Sequence, residues 1–216
     1  MGQRVLMIDL DPQGNTTSGL GMEVDDKSIY EVIMGRMKLA DVMEETEFKN
    51  LSIAGSDVRL ANAELELVEV EKREYRLKTA VQSVQQDFDF IFIDCPPSLG
   101  LLTINALGAA DSVLIPIQCE YYALEGVASL MNTISRVKKT INPHLEIEGV
   151  LLTMLDGRTN LGLQVVDEVK KHFKKQVYAT VIPRSVRLGE APSHGEPIHV
   201  YDKRSAGCVA YVNLAK

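Results

Sequence analysis

Short runs of β-branched and aliphatic residues recur along the chain and alternate with longer segments of helical period. Several runs are apolar at consecutive positions, as strands are when helices cover both faces of a parallel sheet. This alternation is typical of βαβ units, so it predicts a mostly parallel, twisted α/β sheet with helices on both faces. The predicted strands are residues 4–8, 51–54, 90–93, 112–117, 148–154 and 177–182.

The segments between these runs carry apolar residues at three- and four-residue steps, which predicts amphipathic helices. Ser28 and Glu31 have the spacing of a capping box and predict that a helix starts there. The charged stretch 64–76 is interpreted as the solvated face of the helix that contains it. The other predicted helices are residues 61–84, 122–140, 161–173 and from 202 to the last residue.

Composition narrows the class of protein. The net charge of −7 argues against a protein that coats nucleic acid with its whole surface, although a local basic patch is compatible with it. The three cysteines form no C-x-x-C pair, so neither a zinc site nor a disulfide framework is expected. No apolar run reaches the roughly 20 residues that span a bilayer. We expect a cytoplasmic protein without a membrane segment.

Carboxylates stand where two of the predicted strands end. Asp9 and Asp11 follow the first strand, and Asp94 ends the third. Ligands of open α/β sheets bind beyond the carboxyl ends of the strands, where a carboxylate can hold hydrated Mg²⁺ or orient a water molecule. The alternative is that these residues cap the following helices or are solvated in loops. The pair of acid-tipped strands favours a magnesium-nucleotide site.

A phosphate-binding loop of the form G-x-x-x-x-G-K-[ST] should accompany such acids, because its backbone amides and lysine bind the phosphates. The 216 residues contain no match to it. The Gly-rich stretch 14–21 has no lysine and follows the wrong strand for a phosphate loop. It is therefore not a phosphate loop.

Five motifs resemble the ParA/Soj family of chromosome- and plasmid-partitioning ATPases, which is related to the MinD cell-division ATPases. The similarity runs from residue 4 to 216 and is strongest to the chromosomal Soj branch. The motifs are I-D-L-D-P-Q-G-N-T-T-S-G-L-G at 8–21, I-D-C-P-P-S-L-G-L-L-T-I-N-A-L at 93–107, P-I-Q-C-E-Y-Y-A-L-E-G at 116–126, L-L-T-M-L-D-G-R-T-N-L-G at 151–162 and V-I-P-R-S-V-R-L-G-E-A-P-S-H-G at 181–195.

The resemblance implies a P-loop NTPase fold with a deviant Walker A motif. It implies binding of ATP and Mg²⁺, a homodimer with nucleotide between its subunits, non-specific DNA binding by that dimer, and hydrolysis stimulated by a ParB/Spo0J-type partner. The expected location is the cytoplasm, on the nucleoid, without membrane attachment. A membrane-associated ATPase like MinD is a further alternative and would need a C-terminal amphipathic helix. None is visible before residue 216, but a helix beyond that residue is compatible with the sequence.

Residue roles follow from motif positions. By resemblance, Asp11 matches the catalytic acid that positions the attacking water, and Asp9 and Asp94 match the acids around Mg²⁺. Pro183 falls where the family holds adenine, and the adjoining Arg184 belongs either to that nucleotide pocket or to a DNA-binding patch.

Two further arginines, Arg158 and Arg187, match the DNA-contacting arginines of the family. Arginine contacts to phosphate give sequence-independent, salt-dependent affinity. Lys203 and Arg204 are additional members of the candidate patch.

The chain departs from the family in one respect. Family members begin with a strand, a K-G-G-V-G-K-T-T-type loop and a helix, and these are absent before residue 4. We therefore expect residues 1–216 to be a single ParA-type domain that lacks this first strand and helix and a few C-terminal residues. The expected consequence is loss of ATPase activity in this chain. The alternative is a nucleotide-independent pseudo-ATPase that binds DNA or a partner.

Overall fold

A computed structural model describes residues 2–120 and 123–216. The chain divides into two compact units, unit 1 with Met1–Ala110 and Val137–Pro143 and unit 2 with Asp111–Arg136 and His144–Lys216. Each unit contains its own sheet, so the described strands form two sheets where the sequence predicted one. Among the described residues, no helix is both long and apolar enough to cross a membrane.

The sheet of unit 1 contains β1 (Val5–Asp9), β2 (Met43–Glu45), β3 (Leu51–Ala54) and β4 (Phe90–Asp94), in the order β2-β3-β1-β4. β1 pairs in parallel with β3 and β4, as predicted from their apolar runs. The antiparallel β2 was not predicted, because it has only three residues and two of them are exposed glutamates.

Helices of unit 1 pack on this sheet through a continuous apolar core. Leu6 and Ile8 of β1 are completely buried and contact buried residues of the helices. Burying one such side chain contributes about 1.5–3 kcal/mol. The α-helices are α1 (Asn15–Gly19), α2 (Ile29–Ile33), α3 (Leu39–Val42), α4 (Ala63–Glu66), α5 (Arg76–Gln82) and α6 (Leu101–Ala109).

The predicted helix 61–84 is wrong as a single element. Only α4 and α5 are α-helical, and Lys72 between them has a left-handed backbone with φ of 54°. The stretch 64–76 is therefore not the solvated face of one helix. The hydroxyl of Tyr30 donates to the carboxylate of Glu66 at 2.8 Å, which ties this segment to α2. At Ser28 the helix starts where predicted, but the side chain makes no capping hydrogen bond.

β4 lies at the edge of its sheet. Phe90 and Phe92 point to one face of this strand, with ring centroids 6.3 Å apart, and are 53% and 52% exposed. The expectation that these strands are buried on both faces is therefore wrong for β4. Within residues 2–120 and 123–216, no strand pairs with the outer edge of β4 or of β5.

The sheet of unit 2 is entirely parallel and contains β5 (Ser112–Gln118), β6 (Glu146–Leu155) and β7 (Val177–Pro183), with β6 in the centre. Its helices are α7 (Ala123–Thr140), whose last turn belongs to unit 1, α8 (Asn160–Phe173), α9 (Val186–Glu190), α10 (Ile198–Tyr201) and α11 (Ala206–Leu214).

The start of the last helix of unit 2 differs from its predicted position. The predicted start of α7 at residue 122 lies outside the described residues. The last helix begins at Ala206 rather than at residue 202, because the hydroxyl of Ser205 caps it by accepting a hydrogen bond from the backbone N–H of Cys208 at 3.2 Å.

One buried polar side chain joins α5 and α6. Oδ1 of Asn105 accepts from the backbone N–H of Leu77 at 3.1 Å, and Nδ2 donates to the backbone oxygens of Arg73 and Leu101, each at 3.0 Å. Asn105 is completely buried, so its amide satisfies backbone groups that water cannot reach.

Replacing Asn105 with leucine should therefore lower the free energy of unfolding by about 3 kcal/mol, since a buried N–H and two carbonyl oxygens lose their partner. Urea unfolding followed by circular dichroism measures the change. The same substitution at Asn132, which is exposed on α7, is the control and should alter stability by less than about 0.5 kcal/mol. Equal effects at both positions would contradict the role of this amide.

Candidate functional site

The tips of β1 and β4 bring two acids side by side at the carboxyl edge of unit 1. Asp9 lies opposite Asp94 in the parallel register. The ladder continues one residue further, where the backbone N–H of Leu10 donates to the backbone oxygen of Asp94 at 2.8 Å. The sequence predicted this juxtaposition from two acid-tipped strands, and the register confirms it.

Asp9 is completely buried and its carboxylate organises the loop that follows β1. Its Oδ2 accepts from the backbone N–H of Thr17 at 2.8 Å and from the hydroxyl of the same residue at 2.7 Å. Its Oδ1 accepts from the backbone N–H of Asp11 at 3.2 Å. Burial raises the pKa of Asp9, and the charge of Asp94 acts in the same direction, while the hydrogen bonds from Thr17 and Asp11 oppose this.

The loop between β1 and α1 turns tightly around Asp11. The carboxylate of Asp11 accepts from the backbone N–H of Gln13 at 3.0 Å, and its backbone oxygen accepts from Gly14 at 2.9 Å. Gly14 has φ of 64°, and a Cβ there would lie 3.2 Å from the backbone oxygen of Ser56, so glycine is favoured at this point. Asp11 is only partly buried, so its carboxylate can still reach water.

Asp94 is linked to the same loop through a threonine. The hydroxyl of Thr16 donates to Oδ2 of Asp94 at 2.6 Å. The adjacent Cys95 is mostly buried, and burial together with the charges of Asp94 and Asp11 raises its pKa to about 12. Burial is the main cause of this shift, and the two neighbouring carboxylates add negative charge that favours a cation at this edge.

Thr16 and Thr17 belong to the site but were not identified from the sequence. Each donates its hydroxyl to one of the two paired acids, Thr16 to Asp94 and Thr17 to Asp9. The available signal was the T-T pair within the Gly-rich stretch 14–21, two residues after Gly14, in the first turn of a helix that follows the first strand.

The oxygen donors fit magnesium in kind and number. Mg²⁺ in nucleotide sites is held by one or two carboxylates together with water and substrate phosphates. In the part of the chain that the structure describes, no group of three or more His, Cys, Asp or Glu side chains forms a metal cluster by itself. A site shared with water and phosphates is suited better by Asp94, which is held by Thr16, than by Asp9. The reason is that both carboxylate oxygens of Asp9 already accept hydrogen bonds from the protein.

The remaining candidate residues lie in unit 2. Arg158 follows β6, Pro183 and Arg184 lie at the end of β7, and Arg187 is in α9. Lys203 and Arg204 lie between α10 and α11. Pro183 ends β7 and pairs with Leu155 at the end of β6. The backbone N–H of Arg184 donates to the backbone oxygen of Leu155 at 2.9 Å, and its guanidinium pairs with Glu120.

Both predicted DNA-contacting arginines form ion pairs within unit 2. Arg158 donates from two nitrogens to Asp156, at 2.9 and 2.7 Å, and Arg187 contacts Glu190 at 2.9 Å and Asp202 at 3.6 Å. Unit 1 thus contains the three acids and unit 2 the proline and the three arginines.

A parallel α/β sheet with carboxylates at its carboxyl edge is the architecture of nucleotide-binding proteins, and this fold is of the P-loop NTPase type.

Residues 1–147 match a family model described as an AAA domain. The chain is 57% identical over 218 residues to the sporulation initiation inhibitor protein Soj of Bacillus subtilis, with 100% of this chain and 86% of that protein covered. It is 50% identical to the chromosome partitioning protein ParA of Myxococcus xanthus, covering 99% of this chain and 76% of that protein. The chain therefore belongs to the ParA/Soj family of chromosome-partitioning ATPases.

Solved structures agree in fold. A structure named as cobyrinic acid a,c-diamide synthase from Mycobacterium smegmatis, with bound ATP analog and magnesium, superposes with a TM-score of 0.86 at 37% identity, covering 99% of this chain and 81% of that one. The septum site-determining protein MinD of Pyrococcus horikoshii, complexed with Mg-ADP, gives a TM-score of 0.80 at 24% identity, covering 99% of this chain and 82% of that chain. The second likeness shows the shared fold alone.

The hydroxyl of Thr17 has two buried partners, because it donates to Asp9 and accepts from the backbone N–H of Ser56 at 3.0 Å. Replacing Thr17 with valine should lower the free energy of unfolding by about 2–4 kcal/mol, since both buried groups lose a hydrogen bond. Chemical denaturation measures the loss.

Thr17→Ser is the matched control, because serine keeps the hydroxyl, and it should recover most of the stability. Thr16→Val should cost less than Thr17→Val, since Asp94 is partly exposed. A Thr17→Ser variant as unstable as Thr17→Val would show that the methyl group, rather than the hydroxyl, stabilises this loop.

Proposed function

We propose that this chain acts in a ParA/Soj-type ATPase that segregates chromosomes or plasmids, binding ATP-Mg²⁺ at the acid edge of unit 1 and non-specific DNA through arginines of unit 2. The observation that supports this most directly is that Asp9 and Asp94 lie opposite each other on the paired strands β1 and β4, with Asp11 on the adjoining turn. The chain that carries these acids is 57% identical to Soj.

The three acids have different surroundings, which suits different roles. Asp11 is partly exposed and fixed by its own turn, so it can orient an attacking water molecule. Asp94, held by the hydroxyl of Thr16, would bind Mg²⁺ directly or through water, and the ion would neutralise charge on the transferred phosphoryl group. Asp9 is assigned to the magnesium site with Asp94, and its hydrogen bonds to Thr17 and Asp11 position the loop.

The nucleotide base and the DNA would be bound by unit 2. Pro183 and Arg184 are at the end of β7, where the family binds adenine. Arg158 and Arg187 are exposed cations suited to phosphate contacts. In this proposal, binding of ATP brings two subunits together as a homodimer, and the dimer binds the nucleoid in the cytoplasm. A ParB/Spo0J-type partner then stimulates ATP hydrolysis and release of the protein from DNA.

A second candidate is a nucleotide-independent pseudo-ATPase that retains only DNA or partner contacts. The observation that favours it is the lack of a G-x-x-x-x-G-K-[ST] loop in the 216 residues. No lysine of such a loop is present to meet the phosphate charge, so we expect these residues alone to bind ATP weakly. The two candidates differ in whether Asp11 is needed for a measurable hydrolysis rate.

In the full-length protein, Asp11→Asn should reduce DNA-stimulated ATP hydrolysis by about 100-fold or more, because the carboxylate that orients water is lost. Asparagine can still accept the hydrogen bond from Gln13, so ATP binding should be retained. Phosphate release measures hydrolysis, and a fluorescent ATP analogue measures binding. Asp25→Asn, at an exposed loop position, is the control and should be as active as the unaltered protein. Unchanged hydrolysis in Asp11→Asn would refute the catalytic assignment.

A further inference from the structure

The guanidinium of Arg158 is held by a carboxylate from its own loop. Its Nε donates to Oδ1 of Asp156 at 2.9 Å, and its second terminal nitrogen donates to Oδ2 at 2.7 Å. This two-bond fork is the arrangement by which arginine also binds a phosphate group. The fork holds the pKa of Asp156 well below its usual range, so the carboxylate stays ionised. A phosphate can use this edge of Arg158 only after Asp156 leaves it.

Arg187 is held by two carboxylates. Its NH1 contacts Glu190 at 2.9 Å, and its Nε contacts Asp202 at 3.6 Å. These two nitrogens lie on different edges of the guanidinium. Each edge that could donate two hydrogen bonds to a phosphate therefore already has one of its nitrogens paired with a carboxylate.

The two carboxylates around Arg187 are fixed by other contacts. Glu190 accepts from the hydroxyl of Tyr201 at 3.2 Å, and Asp202 accepts from the backbone N–H of Arg204 at 3.1 Å. They are therefore positioned beside Arg187 by α9, α10 and the turn after α10. Since the side chains are between one third and three fifths exposed, the ion pairs are weak enough to be replaced.

We infer that Asp156, Glu190 and Asp202 are positioning residues that compete with DNA for Arg158 and Arg187, so that DNA binding exchanges a carboxylate of this chain for a phosphate on each arginine. This inference rests on the proposed function, which assigns DNA contact to these two arginines. The carboxylates lower the affinity for DNA without touching it, and they keep the arginines ordered when DNA is absent.

Removing the competing charges at Arg187 should tighten DNA binding. In the full-length protein with ATP and Mg²⁺, each of Glu190→Gln and Asp202→Asn should lower the dissociation constant for a random-sequence DNA duplex by about two- to fivefold, as expected for a surface ion pair. Fluorescence anisotropy measures the constant. Both substitutions keep an oxygen that can accept from Tyr201 or Arg204.

The matched control is Glu168→Gln, which removes one negative charge from unit 2 at an exposed pair with Lys171. It should change the affinity by much less than either substitution beside Arg187. A control effect as large as theirs would mean that net charge alone governs binding, and the inference would be wrong.

Repeating the two substitutions in an Arg187→Ala background separates the inference from the proposed function. Arg187→Ala alone should weaken DNA binding, and in its presence Glu190→Gln and Asp202→Asn should have little further effect. A full gain in affinity without Arg187 overturns the competition but leaves the DNA role of Arg187 intact. Unchanged DNA binding in Arg187→Ala and in Arg158→Ala refutes the DNA assignment itself, and the inference with it. Asp156→Asn in the presence and absence of Arg158 provides an independent second cycle.

Discussion

The parallel pairing of β1 with β4 places Asp9 against Asp94, and the remainder of the candidate site depends on this contact. Two carboxylates at one sheet edge repel each other, and burial of Asp9 adds a desolvation cost. Hydrogen bonds from Thr16 and Thr17 offset part of that cost, which ties α1 to both strand tips. A magnesium ion with nucleotide phosphates would offset the rest. In the proposed function, a hydrated cation with a polyphosphate is therefore the ligand that complements the charge of this acid edge.

In unit 2 the candidate residues are positively charged, and each of the three arginines forms an ion pair with a carboxylate of the same chain. These carboxylates belong to Asp156, Glu190, Asp202 and Glu120. An overall charge of −7 would disfavour DNA binding by the whole surface, so the proposed DNA affinity would have to come from a few local cations. In the proposed function, exchange of carboxylate for phosphate at those cations would give moderate, salt-sensitive binding, which would allow the protein to leave the DNA again.

The apolar runs were sufficient to predict six strands, because each strand has a local pattern of apolar residues. The acids at two strand ends were sufficient to predict that Asp9 and Asp94 lie side by side, because parallel strands end at the same edge of a sheet. The antiparallel β2 has no apolar run, so its pairing depends on β3 rather than on its own residues. The helix predicted at 61–84 has the correct periodicity, but tertiary contacts of Glu66 and the left-handed Lys72 interrupt it. The roles of Thr16 and Thr17 and the ion pairs of the arginines depend on contacts between distant segments, which periodicity does not reveal.

In the proposed function, the acid edge binds ATP-Mg²⁺ only together with a lysine-bearing phosphate loop. Isothermal titration calorimetry with ATP and Mg²⁺ tests it on the 216-residue chain and on the same chain preceded by a strand, a K-G-G-V-G-K-T-T loop and a helix. A version of that loop with both lysines replaced by alanine is the control. Strong binding is expected only when the intact loop is present. Equally tight binding by the 216 residues alone would contradict it.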